Sequence, residues 1–154
     1  MRGDTTGVAV EPVISVSVEG FLPEEYVPEV NQRLALYKRL AGAAGGDELA
    51  DLRAELQDRF GPLPEPAEQL LDIVRIRIAA RALGVERVEA GEGKAVITFA
   101  PSTSIEPGRL VAAIQAGRGR LRMRREFTLE ATLAAGGWPA TRDSLLGVLG
   151  GLAS

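Results

Sequence analysis

Glu55, Asp58 and Arg59 are three charged residues at helical spacing, and they are the side chains of this chain best arranged to act together. Positions i, i+3 and i+4 are neighbours on one helix face. Two acids and an arginine so placed allow two readings. One is a solvated intrahelical pair, worth roughly 0.3–0.5 kcal/mol. The other is a charged docking surface, with Arg59 free for bidentate pairing to a partner carboxylate and the acids free for partner arginines. Asp58 adds a constraint. It stands in the last helical turn, where the helix dipole is negative and disfavours an acid by roughly a few tenths of a kcal/mol. Arg59 or a partner must compensate.

Other chemistry is narrowed by what the chain lacks. There is no histidine and no cysteine in the 154 residues. An imidazole general base, a Ser-His-Asp triad, a thiolate nucleophile, a disulfide and a His- or Cys-ligated zinc site are thereby excluded. The acids Glu24, Glu25 and Glu29, and separately Asp47, Glu48 and Asp51, lie around helix starts, where acids are favoured without any metal or catalytic role. Gly91-Glu92-Gly93-Lys94 ends in Gly-Lys, but a phosphate-binding loop needs glycine at 88 and serine or threonine at 95, where Val88 and Ala95 stand; a hairpin turn fits better. No catalytic, cofactor or metal residues are assigned, and the chain is expected to be no enzyme.

Arg118, Arg120, Arg122, Arg124 and Arg125 form the densest positive run. With Leu121 and Met123 interleaved, strand alternation sends arginines to one face and apolar residues to the other. Phosphate contact is one use of such a strand. Protection of a sheet edge by charge is the other, and it is preferred here: the formal net charge is −3 and no aromatic alternates with the arginines to stack bases.

The elements that must position these residues follow from periodicity. Val13 to Val18 alternates as a half-buried strand. Glu29 to Ala41 reads as a helix with Val30, Leu34, Tyr37 and Ala41 on its inner face, widened by Leu36 and Leu40. Asp47 is the expected N-cap of a second helix, whose stripe of Leu49, Leu52, Leu56 and Phe60 faces inward and which stops at Gly61-Pro62. A third helix takes Pro66 in its first turn, buries Leu70, Leu71, Val74 and Ile78, has Arg77 and Arg81 on its wet side, and ends at Gly84. Val85 to Ala90 and Ala95 to Phe99 then read as strands. Pro107 to Ala116 reads as a helix with Leu110, Val111 and Ile114 inward. Arg120 to Arg124 and Phe127 to Leu133 are strand material, and Thr141 to Leu149 a last weak helix.

Segregation of strands and helices predicts an α+β fold: a single compact domain with a small mixed or antiparallel sheet packed with four to five helices. Residues 1–10 are expected to be a flexible leader, or the scar of a cut made inside a longer protein; 11–150 the domain; 151–154 a disordered tail. Apolar residues at 45%, charged residues at 25% and no membrane-length apolar run indicate a cytoplasmic globular protein.

Several stretches are similar to a known family. They are Phe21-Leu22-Pro23, Tyr26-Val27-Pro28-Glu29-Val30-Asn31-Gln32-Arg33-Leu34, Tyr37-Lys38-Arg39-Leu40-Ala41, Glu55-Leu56-Gln57-Asp58-Arg59-Phe60-Gly61-Pro62-Leu63-Pro64, Leu70-Leu71 and Ala82-Leu83-Gly84-Val85. Together they resemble the C-terminal domain of the bacterial transcription-repair coupling factors (Mfd), over residues 10 to 150, with the distinctive motifs before Gly91. The resemblance implies a parent that is an ATP-driven DNA translocase acting on stalled RNA polymerase and bringing in excision repair through UvrA. For this domain it implies a non-catalytic clamp. By that resemblance the domain is expected to pack on the parent's UvrB-like module, mask the UvrA-binding surface and hold the motor repressed until RNA polymerase is engaged. The family's acid, acid and arginine contacts carry over onto Glu55, Asp58 and Arg59, with Gln57 at the variable position. A monomer with no cofactor, no membrane association and no direct nucleic-acid contact is expected. The alternative is a nucleic-acid-binding accessory module working through Arg120, Arg122 and Arg124.

Overall fold

The computed structural model describes residues 11–91, 93–103 and 105–153. The leader expected at 1–10 and Glu92 of the hairpin turn lie outside them. The fold is α+β as expected, with a five-stranded mixed sheet and five helices among the described residues. Two compact units divide the chain, residues 18–78 and residues 11–17 with 79–153.

The first unit holds α1 (Val30–Ala41), α2 (Gly46–Phe60) and most of α3 (Glu65–Ala82). Glu29 caps α1, its carboxylate accepting the backbone N–H groups of Gln32 at 2.9 Å and Asn31 at 3.3 Å. The buried residues of α1 are Leu36 and Leu40, whereas Val30 and Leu34, expected inward, are 53% and 60% exposed. The preceding segment decides the rotation. Leu22 N donates to the Tyr37 hydroxyl at 2.7 Å, Arg33 Nη1 donates to Val27 O at 2.8 Å, and Leu22 and Val27 pack in one cluster with Leu36. That segment covers the Leu36 side and leaves the Val30 side open.

In α2 the N-cap position falls to Gly45, with no side-chain cap, and not to Asp47. Glu48 instead accepts from Ala44 N at 3.1 Å. The stripe is as read: Leu49, Leu52 and Leu56 are buried and Phe60 half-buried. Leu49 and Leu52 pack with Leu40, Ala43, Leu71 and Val74, and Leu56 with Leu22, Val27, Leu36 and Ala67, so one helix joins both apolar clusters. Gly20 lets the backbone lie on α3. A Cβ there would stand 2.4 Å from Leu70 Cα, while Phe21 N bonds Pro66 O at 3.0 Å. Arg77, expected on the wet side of α3, is half-buried and donates to Leu40 O at 2.9 Å.

The second unit is built on a sheet of order β1-β2-β3-β5-β4: β1 (Val13–Ser15), β2 (Val85–Gly91), β3 (Lys94–Phe99), β4 (Leu121–Arg125) and β5 (Thr128–Thr132). β1 pairs parallel with β2; the other pairs are antiparallel. The alternation read over 13–18 forms strand only through Ser15, the last residue with a partner on β2. Val88, Ala95, Ile97, Leu129 and Ala131 are buried, and the row Glu89, Val96, Glu130 and Arg122 lies on the opposite face of the pleat. Helix α4 (Pro107–Ala116) has the expected bounds, but it buries no residue fully and Val111 is 52% exposed. Helix α5 is longer than read, Gly137–Ala153, with Thr141, Leu145, Leu149 and Leu152 buried. Residues 151–153, expected to be a disordered tail, are therefore its last turn.

Candidate functional site

The second half of α2 positions all three predicted residues. Leu52 and Leu56 anchor the inner face, so Glu55, Asp58 and Arg59 emerge on the outer one, with Asp58 and Arg59 exposed and Glu55 half-exposed. The helix end is held from both sides. Gly61 has φ 91° and ψ −171°, positive-φ space that favours glycine, and its N–H bonds Gln57 O at 3.0 Å. The Tyr26 hydroxyl donates to Gly61 O at 2.8 Å and sits 3.2 Å from Leu56 O. One hydroxyl thereby ties the Gly61 carbonyl, just past the helix, to the last turn of α2. The Tyr26 and Phe60 rings pack at 5.7 Å, tilted by 55°. Burial pushes the Tyr26 hydroxyl above its ordinary pKa, which keeps it a donor.

Glu55 is the centre of the charge cluster, through a residue the motif does not contain. Arg39, from α1, donates Nη1 to Glu55 Oε2 and Nη2 to Oε1, both at 2.8 Å. Arg59 adds Nη1 to Oε2 at 2.9 Å, the i→i+4 pair that the spacing allows. The Arg39 bonds first, and the Arg59 bond second, hold the Glu55 carboxyl at a pKa of about 2. Arg59 also lies over the Phe60 ring, 5.0 Å from its centroid. Asp58 is different. Arg59 turns to Glu55, and Asp58 has no hydrogen bond or ion pair among the described residues. Spacing identified the trio; no sequence signal short of the α1–α2 packing identifies Arg39.

A second cross-helix fork stabilises the same scaffold. Arg53 on α2 donates to Glu68 on α3, with Nη2 to Oε2 at 2.7 Å.

The arginine run lies in the other unit and behaves differently. Arg122 Nε donates to Glu130 Oε1 at 2.9 Å, Arg124 Nε is 3.8 Å from Glu130 Oε2, and Lys94 Nζ is 3.7 Å from the same oxygen. The Arg122 hydrogen bond is the main cause of a lowered Glu130 pKa. β4 is an edge of the sheet, and its Arg122 and Arg124 side chains are spent partly on a carboxylate of the neighbouring strand. Charged side chains on an edge strand disfavour the addition of a further strand there. Gly91 and Lys94 pair across the β2–β3 hairpin, so the Gly-Lys pair belongs to a turn. A cavity of about 640 Å³ between α4 and α5 is lined mostly by small and apolar residues such as Ala113, Gly117, Leu133 and Val148, with Arg120 on its wall and no carboxylate among its lining residues. No cluster of three or more acids is placed to hold a metal among the described residues, and no helix there is long and apolar enough to cross a membrane.

Comparison with known proteins gives these observations a family. The TRCF domain family model matches residues 16–110, more than half the chain. The transcription-repair-coupling factor of Escherichia coli is 41% identical over 102 residues, 66% of this chain and 9% of that protein. The coupling factor of Myxococcus xanthus is 31% identical over 136 residues, 88% of this chain and 11% of that protein. The chain thus spans about a tenth of the length of these relatives. A crystal structure of the C-terminal domain of transcription-repair coupling factor superposes with TM-score 0.80 at 20% identity, covering 94% of this chain and 92% of that one, so the fold is shared. With the Glu55–Arg59 motif inside the matched segment, the chain belongs to the TRCF domain family, the domain found in the transcription-repair coupling factors it resembles.

Proposed function

We propose that this chain is a regulatory docking domain. It packs on the UvrB-like module of a coupling factor, covers the surface that UvrA uses, and holds a DNA-translocating ATPase motor closed until RNA polymerase is engaged. The domain contributes no catalysis of its own and works in the cytoplasm as part of a monomeric parent. The observation that carries this reading is the half-open charge cluster at the end of α2. Glu55 is already paired, Arg59 is held over Phe60 with donors to spare, and Asp58 is exposed in a helix turn whose dipole disfavours it. Such a surface suits a contact that must also open, because interfaces between domains that separate are smaller and more polar than permanent ones. A closed state favoured by about 3 kcal/mol leaves only about 1% of molecules open, within reach of a few desolvated charged bonds.

The test is made in a full-length coupling factor carrying this domain. Replacing Glu55, Asp58 and Arg59 together by alanine is expected to raise both UvrA binding and basal ATPase rate. Unchanged values in a normally folded variant would show that these residues do not hold the closed state. The nucleic-acid alternative through Arg120, Arg122 and Arg124 has less support, since Glu130 engages Arg122 and Arg124 and the net charge is −3.

A further inference from the structure

We propose that the docking site has a fourth member, Arg39, and that the cluster divides its labour: Arg39 and Glu55 position Arg59, while Asp58 and Arg59 touch the partner. This rests on the docking reading above.

The argument begins with the bonds of Glu55. Both of its oxygens accept from Arg39, and one also accepts from Arg59. A carboxylate engaged by three charged donors has little capacity left for a partner cation. Its use lies elsewhere. With Arg39 fixing it from α1, the carboxylate fixes Nη1 of Arg59, while the Phe60 ring supports the guanidinium face. Arg59 is then presented in one orientation, and less side-chain freedom remains to be lost on docking. Its Nε and Nη2 protons have no acceptor among the described residues. One position away, Asp58 has no partner at all among them. The outward-facing charge is one cation beside one anion. The complementary surface therefore offers an acid to Arg59 and a base to Asp58, side by side. That pattern discriminates against a partner of a single sign of charge.

Arg39 is 49% exposed and Glu55 32% exposed at the side chain. Their pairing contributes little to folding, so a docking effect is separable from a stability effect. Lysine at 39 would keep the charge but lose the two-pronged fork.

The experiment compares Arg39→Ala, Arg39→Lys, Glu55→Ala, Asp58→Ala and Arg59→Ala in the full-length coupling factor, reading UvrA affinity, basal ATPase rate and melting temperature. Arg39→Ala and Glu55→Ala are each expected to raise UvrA affinity by roughly tenfold, with the double variant no further open than either single. Arg39→Lys is expected to behave like Arg39→Ala. Adding Asp58→Ala to Arg39→Ala is expected to open the contact further. Melting temperatures should stay near the parent's. If Asp58→Ala and Arg59→Ala open the contact while Arg39→Ala and Glu55→Ala do not, the positioning role is wrong and docking stands. Opening by Glu55→Ala without Arg39→Ala would likewise remove Arg39 from the site. If none of the four alanine variants opens it, the docking reading itself fails.

Discussion

Glu55 is the residue on which the charge cluster turns, and its protonation reports the cluster's integrity. Its carboxyl sits at about 2, against an ordinary 4.5, because Arg39 and then Arg59 bond the charged form. A depressed folded pKa means that the unfolded chain takes up the proton first as pH falls. The contribution of Glu55 to stability is therefore complete above pH 4.5, falls as pH drops below it, and is gone once pH has passed below 2. In Arg39→Ala the value should rise towards 4.5, held below it by the remaining Arg59 bond, read by carboxyl-carbon NMR titration; in Asp58→Ala it should move little. A Glu55 that still titrates near 2 without Arg39 would mean that Arg59 alone suffices. At this scale the sequence was informative in part. The Glu55–Arg59 pair is four residues apart and could be read from helical spacing. Arg39 is sixteen residues from Glu55, and its pairing exists only because α1 and α2 pack together. The awkward place of Asp58 was legible too, and Arg59 does not relieve it, being engaged by Glu55.

At the scale of elements, α2 is a core helix whose last turn is clamped. Leu56 is 1% exposed among Leu22, Val27, Leu36 and Ala67. Leu56→Ala should cost about 2–5 kcal/mol in chemical denaturation, through lost transfer energy and the cavity left behind. Tyr26→Phe keeps the ring packing on Phe60 but leaves the Gly61 carbonyl without its donor, for about 1 kcal/mol. A variant as stable as the parent would show that water replaces the hydroxyl. The contrast between well-read and misread elements is physical. Helix α4 is bounded by Pro107 and Gly117, strong local signals that fix both of its ends in the sequence. Helix α5 extends beyond Thr141–Leu149 at both ends: Gly147, Gly150 and Gly151 weaken its periodicity, while Leu145, Leu149 and Leu152 keep it buried. In α1 two apolar faces compete, and the segment Leu22–Val27 selects the one carrying Leu36. That choice depends on a tertiary contact and has no local signature.

For the whole molecule, the α+β class and the family follow from different evidence, and both agree with the residues. The fold matches a coupling-factor C-terminal domain at low identity, and the motifs of the first unit fall in the segment that the family model covers. The basic strand is the remaining discriminator between a docking domain and a nucleic-acid module. With Arg122 and Arg124 gathered on Glu130, the chain at low salt should give a flat titration against duplex DNA. Binding that falls steeply with salt and is lost in Arg122→Ala/Arg124→Ala would favour the alternative. The central claim is more direct, and one titration reaches it: the UvrB-like module of a coupling factor against this chain, at two ionic strengths, with the parent sequence and with Asp58→Ala/Arg59→Ala. Docking predicts saturable binding by the parent sequence, weaker at high salt and lost in the double variant. No binding at low salt, or equal binding by the variant, would contradict it.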